Sequence, residues 1–287
     1  MEATELLKKV RRIEIKTRGL SRHIFAGEYH SAFKGRGIAF SEVRAYQYGD
    51  DIRSIDWNVT ARFNQPYVKI FEEERELTVM LLIDVSGSGQ FGTSVTFKKD
   101  LMPEIAAVLS YSAIFNNDKI GVIFFSDKVE KTIHPKKGRK HILIIIRELI
   151  DFHTEIRNTN LNEPLRFLTN IIKKRCTAFI ISDFIAPDFE ESLKIASNKH
   201  DIVALKIFDK MENSLPDVGL VKVLDAESGL EKWVDTSSAA TRTAYNNWWN
   251  MHIESIKNTF NRCGVDYAEL RTDLDYVKPL IKLFKKR

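Results

Sequence analysis

The apolar positions of the chain change period along its length, and those changes mark out elements. Over residues 4–15, Leu6, Leu7, Val10 and Ile13 recur at helical spacing among lysines and arginines, which predicts an amphipathic helix. Residues 19–64 are rich in Gly, Arg and aromatics and carry no strong period. From Pro66 the chain turns extended. PYVKIF reads as β, EEERE as an acidic break, and LTVMLLID (77–84) as one apolar run. An apolar run bounded by turn residues suits a strand buried on both faces of a parallel sheet.

After residue 84 the two periods alternate. Helices are predicted over 96–116, 138–151, 161–174, 188–198, 239–262 and 273–285. Pro103 should bend the first of these or lie near its first turns. Strands are predicted at 119–126, 177–182, 201–208 and 265–270, with 129–134 returning antiparallel beside 119–126. Residues 209–238, with Gly219 and Gly229, read as an inserted β-hairpin. Strands alternating with helices imply an α/β fold, a doubly wound and mostly parallel six-stranded sheet covered on both faces. Two regions follow: an N-terminal helix and collar segment over 1–75, and a main domain over 76–287.

Composition narrows the class. The chain has 287 residues, 44% of them hydrophobic and 29% charged, which is ordinary for a globular protein. No apolar run approaches the roughly 20 residues that span a bilayer, and the N-terminus has no signal-like apolar stretch, so a cytoplasmic location is expected. Cys176 and Cys263 fit no metal-ligand spacing and are expected to be buried, reduced thiols. The net charge of +5 is uneven: residues 1–22 carry +4, residues 278–287 carry +5, and the body carries −4. A basic pI that comes from the termini is poor evidence for a nucleic-acid-binding face, so no nucleic-acid partner is expected. Solubilising ends are the plainer reading, a peripheral contact with anionic lipid or an acidic partner the sharper one. Residues 282–287 are expected to be a frayed, solvated helix end.

The first apolar strand closes on Asp84, followed by Val85-Ser86-Gly87-Ser88. Ligands in open α/β sheets bind at the carboxyl ends of strands, where the strand order reverses. In the order 3-2-1-4-5-6, strands one and four are neighbours at that crevice, and strand four ends Ile181-Ser182-Asp183. Asn158-Thr159-Asn160 precedes the helix that leads into strand four. Asp84, Ser86, Ser88, Thr159 and Asp183 are all oxygen donors, the set a hard cation such as Mg2+, Mn2+ or Ca2+ selects, and none is the His or Cys that zinc prefers. The alternative is that Asp84 caps the following turn and the serines satisfy backbone groups.

The D-x-S-x-S of Asp84, Ser86 and Ser88, with Thr159 in a later loop and Asp183 closing strand four, resembles the metal-ion-dependent adhesion site of von Willebrand factor type A domains. That resemblance implies a protein-binding domain in which the hydroxyls contact the metal, the carboxylates act directly or through water, and the partner adds an acidic ligand. The sequence departs at Gly89-Gln90-Phe91-Gly92, where that family often has an apolar residue. Upstream, Gly35-Arg36-Gly37, Glu42-Val43-Arg44-Ala45-Tyr46, Gly49 to Trp57 and Glu72-Glu73-Glu74 are similar to the bacterial domain-of-unknown-function family fifty-eight. This second resemblance covers nearly the whole chain and implies a MoxR-type AAA+ ATPase as partner, in complex assembly or maturation. Asp50, Asp51, Arg53, Asp56 and Trp57 are the candidate partner surface, with a structural collar as the equal alternative. Arg53 and Asp56 could pair at i,i+3, and Trp248-Trp249 reads as helix core.

Two rivals carry less. Gly87-x-Gly89-x-x-Gly92 fits a dinucleotide fingerprint, but Asp84 would face the pyrophosphate, and the next strand-end acid, Asp127, comes too late for the ribose. A magnesium-dependent phosphohydrolase could use Asp84 as nucleophile, yet the acid expected two residues on is Ser86. The reading is therefore a non-enzymatic, metal-dependent binding module.

Overall fold

A computed structural model describes residues 39–72, 77–87, 97–152, 158–224 and 231–287. They fall into a small unit that ends at Leu77 and a larger one that runs from Thr78 to Arg287. The helix expected over 4–15 lies outside the described residues.

In the small unit, β1 (Ala39–Ala45) pairs antiparallel with β2 (Tyr67–Glu72), with a register shift between Phe40 and Glu42. Between them stand a short 3-10 turn (Ile52–Ser54) and α1 (Trp57–Phe63). Side-chain caps set these boundaries. The Asp51 carboxylate accepts the Arg53 N–H, and the Asp56 carboxylate accepts those of Asn58 and Val59. Asn64, at φ +52°, closes α1 in the left-handed conformation that Asn tolerates.

The larger unit alternates strands and helices, as the periods predict. In order they are β3 (Thr78–Asp84), α2 (Lys98–Phe115), β4 (Lys119–Phe125), β5 (Val129–Lys136), α3 (Arg139–Asp151), α4 (Asn162–Ile171) and β6 (Thr177–Ser182). Then follow α5 (Glu190–Lys199), β7 (Asp201–Phe208), β8 (Leu220–Leu224), β9 (Glu231–Asp235), α6 (Ala239–Arg262), β10 (Asp266–Arg271) and α7 (Val277–Lys286). Six strands form one sheet in the order β5–β4–β3–β6–β7–β10. Every pairing is parallel except that of β4 with the edge strand β5. The strands that end at Asp84 and Ser182 are therefore neighbours, as the site reading requires. β8 and β9 form the separate antiparallel hairpin expected within 209–238.

The apolar runs fill the core. β3 is buried from Val79 to Asp84, β4 from Ile120 to Phe125, and β6 along its whole length. α2 is buried almost all round from Leu101 to Ala113, the expectation for a helix under other layers. Pro103 sits in its second turn, just past the first-turn N–H groups that have no intrahelical acceptor, so its ring removes the N–H that would otherwise reach back to the Lys99 carbonyl. Gly121 marks a close approach. A Cβ there would lie 2.8 Å from Met80 Sδ and 2.9 Å from the Ile133 carbonyl. It stands where the β4–β5 register shifts, so the bulge and the missing side chain belong together.

Three expectations are corrected. The end of the chain is packed, with Leu283 and Phe284 buried and the Phe284 ring edge-on to Phe179 at 6.1 Å. Arg287 completes the tail by pairing with Asp201 and Asp266. Cys176 is buried and its thiol is pushed up to about 12 by burial, whereas Cys263 is only half-buried; both are free. Trp249 belongs to the core, but Trp248 is about half exposed because it sits one position round the helix. Among the described residues, no helix is long and apolar enough to cross a membrane.

Candidate functional site

Asp84 is the last residue of β3, and Ser182 is the last of the neighbouring β6. Parallel pairing of Ile83 with Ile181 sets these two side by side. The Ser182 hydroxyl donates to Asp84 Oδ2 at 2.6 Å, and the Ser86 N–H donates to Oδ1 at 3.0 Å. Both carboxylate oxygens are thus oriented. Thr159 arrives from the loop before α4, and its hydroxyl donates to Ser86 Oγ at 2.8 Å. That loop is pinned to the end of β4, because the Asn160 N–H donates to the Ser126 carbonyl at 2.8 Å.

Asp183 follows Ser182 and opens a strained turn. Phe184 has φ +59°, a conformation L-residues rarely adopt. It is held from both ends: its N–H donates to Ser182 Oγ at 3.0 Å, and the Ile185 N–H donates to Asp183 Oδ1 at 3.1 Å. Its ring is buried edge-on to Phe260 at 5.0 Å, so core packing holds the turn that aims Asp183.

Electrostatics single the pair out. Asp84, Ser86, Thr159, Ser182 and Asp183 are all buried. Burial raises the Asp84 pKa to about 6, with the charge of Asp183 adding to it and the Ser182 and Ser86 hydrogen bonds opposing it. The site is short of positive charge, and one ammonium partly supplies it. Lys98, the first residue of α2, is completely buried, with Nζ 3.0 Å from Asp183 Oδ2 and 2.5 Å from Glu212 Oε1. Burial disfavours its charge, yet the two carboxylates outweigh that and raise its pKa. Lys206 on β7 is also buried, but its Nζ lies over the Trp249 ring at 5.4 Å, and burial lowers its pKa to about 8.

Four of the five predicted metal-site residues thus meet: Asp84, Ser86, Thr159 and Asp183. Ser88 and the Gly89–Gly92 stretch lie outside the described residues. Among the described residues, no group of three or more His, Cys, Asp or Glu side chains is placed to hold a metal ion. Ser182, Lys98 and Glu212 carry no motif and were missed. For Ser182 a signal existed, since it sits one residue before a strand-end acid.

Of the candidate partner residues, the three aspartates make contacts within their own unit. Asp50 receives a two-pronged contact from Arg44 at 2.7 and 2.8 Å, and the Arg44 hydrogen bond holds its carboxyl below the usual range. Asp51 and Asp56 are the caps described above. Asp56 pairs with Lys69 at 3.5 Å and not with Arg53, because the chain turns extended at Ile55 instead of continuing a helix. Ile52 and Trp57 are exposed.

The family model described as "Protein of unknown function DUF58" matches residues 42–254. The chain belongs to the DUF58 family. DUF58 relatives include the uncharacterized protein Rv1480 of Mycobacterium tuberculosis, 28% identical over 99% of this chain and 90% of its own length. The uncharacterized protein YeaD of Bacillus subtilis is 29% identical over 40% of this chain and 27% of its own length. Among solved structures, the conserved hypothetical protein BatB of Bacteroides thetaiotaomicron aligns with this DUF58 chain at a TM-score of 0.50 and 13% identity. That alignment covers 73% of this chain and 98% of BatB, a likeness of fold. The SpRpn10 VWA domain aligns more loosely, at a TM-score of 0.38 and 11% identity over 74% of this chain and 95% of its own.

Proposed function

We propose that this DUF58 protein is a non-enzymatic protein-binding module of von Willebrand factor type A-like design, docking its partner through a divalent cation. The observation that carries the reading is the convergence of Asp84, Ser86 and Thr159, joined with Ser182 by hydrogen bonds, beside a buried Asp183 close enough to raise the Asp84 pKa. The donor set fits Mg2+, Mn2+ or Ca2+. All donors are oxygens, and two buried carboxylates sit close enough for Asp183 to push the Asp84 pKa up. A cation held there by these residues would offer a partner's carboxylate a charge-assisted contact at the sheet edge. Asp84 and Ser182 fix the carboxylate geometry, and Ser86 and Thr159 present hydroxyls, so the chain's own residues orient ligands and carry out no bond chemistry.

The family resemblance makes a MoxR-type AAA+ ATPase the first partner to test. The test of the cation itself is calorimetric titration with Mn2+. Wild type should bind one equivalent and Asp84→Ala none. Wild-type protein that takes up no Mn2+ would sink the reading, as would magnesium-dependent cleavage of an aryl phosphate that Asp84→Ala abolishes.

A further inference from the structure

We propose that Lys98 is a built-in rival to the divalent cation, and that Glu212 sets the strength of that rivalry by drawing the Lys98 ammonium away from Asp183. The inference rests on the cation-site reading and adds the residues that govern occupancy.

The geometry is specific. Lys98 is the first residue of α2, yet its side chain is completely buried, an unusual place for a lysine unless it is paired. Its Nζ reaches Asp183 Oδ2 at 3.0 Å and Glu212 Oε1 at 2.5 Å. One unit of positive charge is therefore divided between a cation-site carboxylate and a second one that belongs to no motif. Glu212 is held ready for this role. Its Oε2 accepts the Asp209 N–H at 2.9 Å, and its carbonyl accepts the Tyr245 hydroxyl at 2.8 Å. Asp209 is itself buried, and its Oδ2 accepts the Thr272 hydroxyl at 2.8 Å. The turn that carries Glu212 is thus tied to β10's end and to α6, and Glu212 is a fixed partner.

The consequence follows from charge alone. A divalent ion beside Asp84 and Asp183 lies near the Lys98 ammonium, and two cations that share one carboxylate repel each other. Binding weakens by that repulsion. Glu212 relieves it, because Lys98 keeps one carboxylate whether or not the ion is present. Removing Lys98 should strengthen cation binding, and removing the charge of Glu212 should weaken it. A purely structural pair would instead give losses of the same sign in both variants.

The experiment is titration of the intact protein with Mn2+, read by calorimetry and by the signal of free Mn2+, for wild type, Lys98→Met, Glu212→Gln and the double variant. Lys98→Met should bind at least about tenfold tighter, and Glu212→Gln should bind severalfold weaker. The double variant should bind close to Lys98→Met, since Glu212 acts chiefly through Lys98. It also leaves no buried glutamate charge without its ammonium, so it reports on the proposal even if Lys98→Met does not fold. Mn2+ uptake by the Lys98 variants but not by wild type upholds Lys98 as the rival while sinking cation docking by the wild-type protein. Tight wild-type binding that neither the Lys98 variants nor Glu212→Gln shifts overturns it and leaves the cation site standing. No uptake by any variant overturns both.

Discussion

His200 is completely buried just after α5, where its Nδ1 accepts the Cys176 N–H at 3.4 Å and lies 3.3 Å from the Cys176 thiol. Burial lowers its pKa from 6.5 to about 4, with Lys199 and Arg175 adding to the effect. The unfolded chain takes up this proton first, so the neutral histidine favours the fold above pH 6.5, and that advantage is lost as pH falls towards about 4. His200→Gln should therefore flatten the dependence of melting temperature on pH across that window, by an effect on the order of 2 kcal/mol at its lower end. Parallel curves for the two proteins would show that His200 plays no such part. At this scale the sequence was readable only where chemistry sits in a local motif. Asp84 and Ser86 are two residues apart, and Asp183 announces itself by closing an apolar strand. Lys98 and Asp183 are 85 residues apart, and nothing local tells a lysine beginning an apolar helix that its partner lies across the sheet edge.

Elements were legible in proportion to their burial. β3, β4 and β6 are covered on both faces, so they read as unbroken apolar runs, and their bounds in the structure fall within a residue or two of those predicted. β1, the 3-10 turn and α1 gave no period, because capping carboxylates and not an apolar stripe define them, and the described turn and helix bury no residue. α7 itself was expected, but the packing of its end was misjudged for another reason. Its lysines and the following Arg287 suggested a solvated end, while Leu283 and Phe284 are buried in the core. The correction has a measurable consequence. Deleting residues 282–287 removes two buried side chains and the Arg287 ion pairs, and should cost about 3–6 kcal/mol, lowering the melting temperature by many degrees. Lys282→Ala, on the exposed face of the same helix, should leave it nearly unchanged. A truncated protein that melts with wild type would restore the frayed tail.

At the scale of the whole molecule, the basic C-terminal end meets the acidic body. Lys286 lies 3.7 Å from Asp266, and Arg287 pairs with the same residue and with Asp201, so part of the C-terminal charge is spent inside the fold. On the proposed function a partner docks at the carboxylate pair at the strand ends, and the two kinds of ligand there should respond differently to removal. Asp84→Ala deletes an anionic donor and leaves the Ser182 hydroxyl without its acceptor, at about 1–3 kcal/mol, but it also relieves the repulsion with Asp183. The fold should survive with a small change in melting temperature while binding of a MoxR-type ATPase is lost. Thr159→Ala removes a neutral hydroxyl that water can replace, so the same binding should weaken by about tenfold or less. EDTA should match Asp84→Ala in the wild type and add nothing to it. The measurement is a binding titration of that ATPase against the three proteins, with Mg2+ and with EDTA. Affinity that ignores both EDTA and Asp84→Ala would move the docking point away from the sheet edge. The exposed Ile52 and Trp57 of the small unit, framed by the capping Asp51 and Asp56, would then be the surface to mutate next.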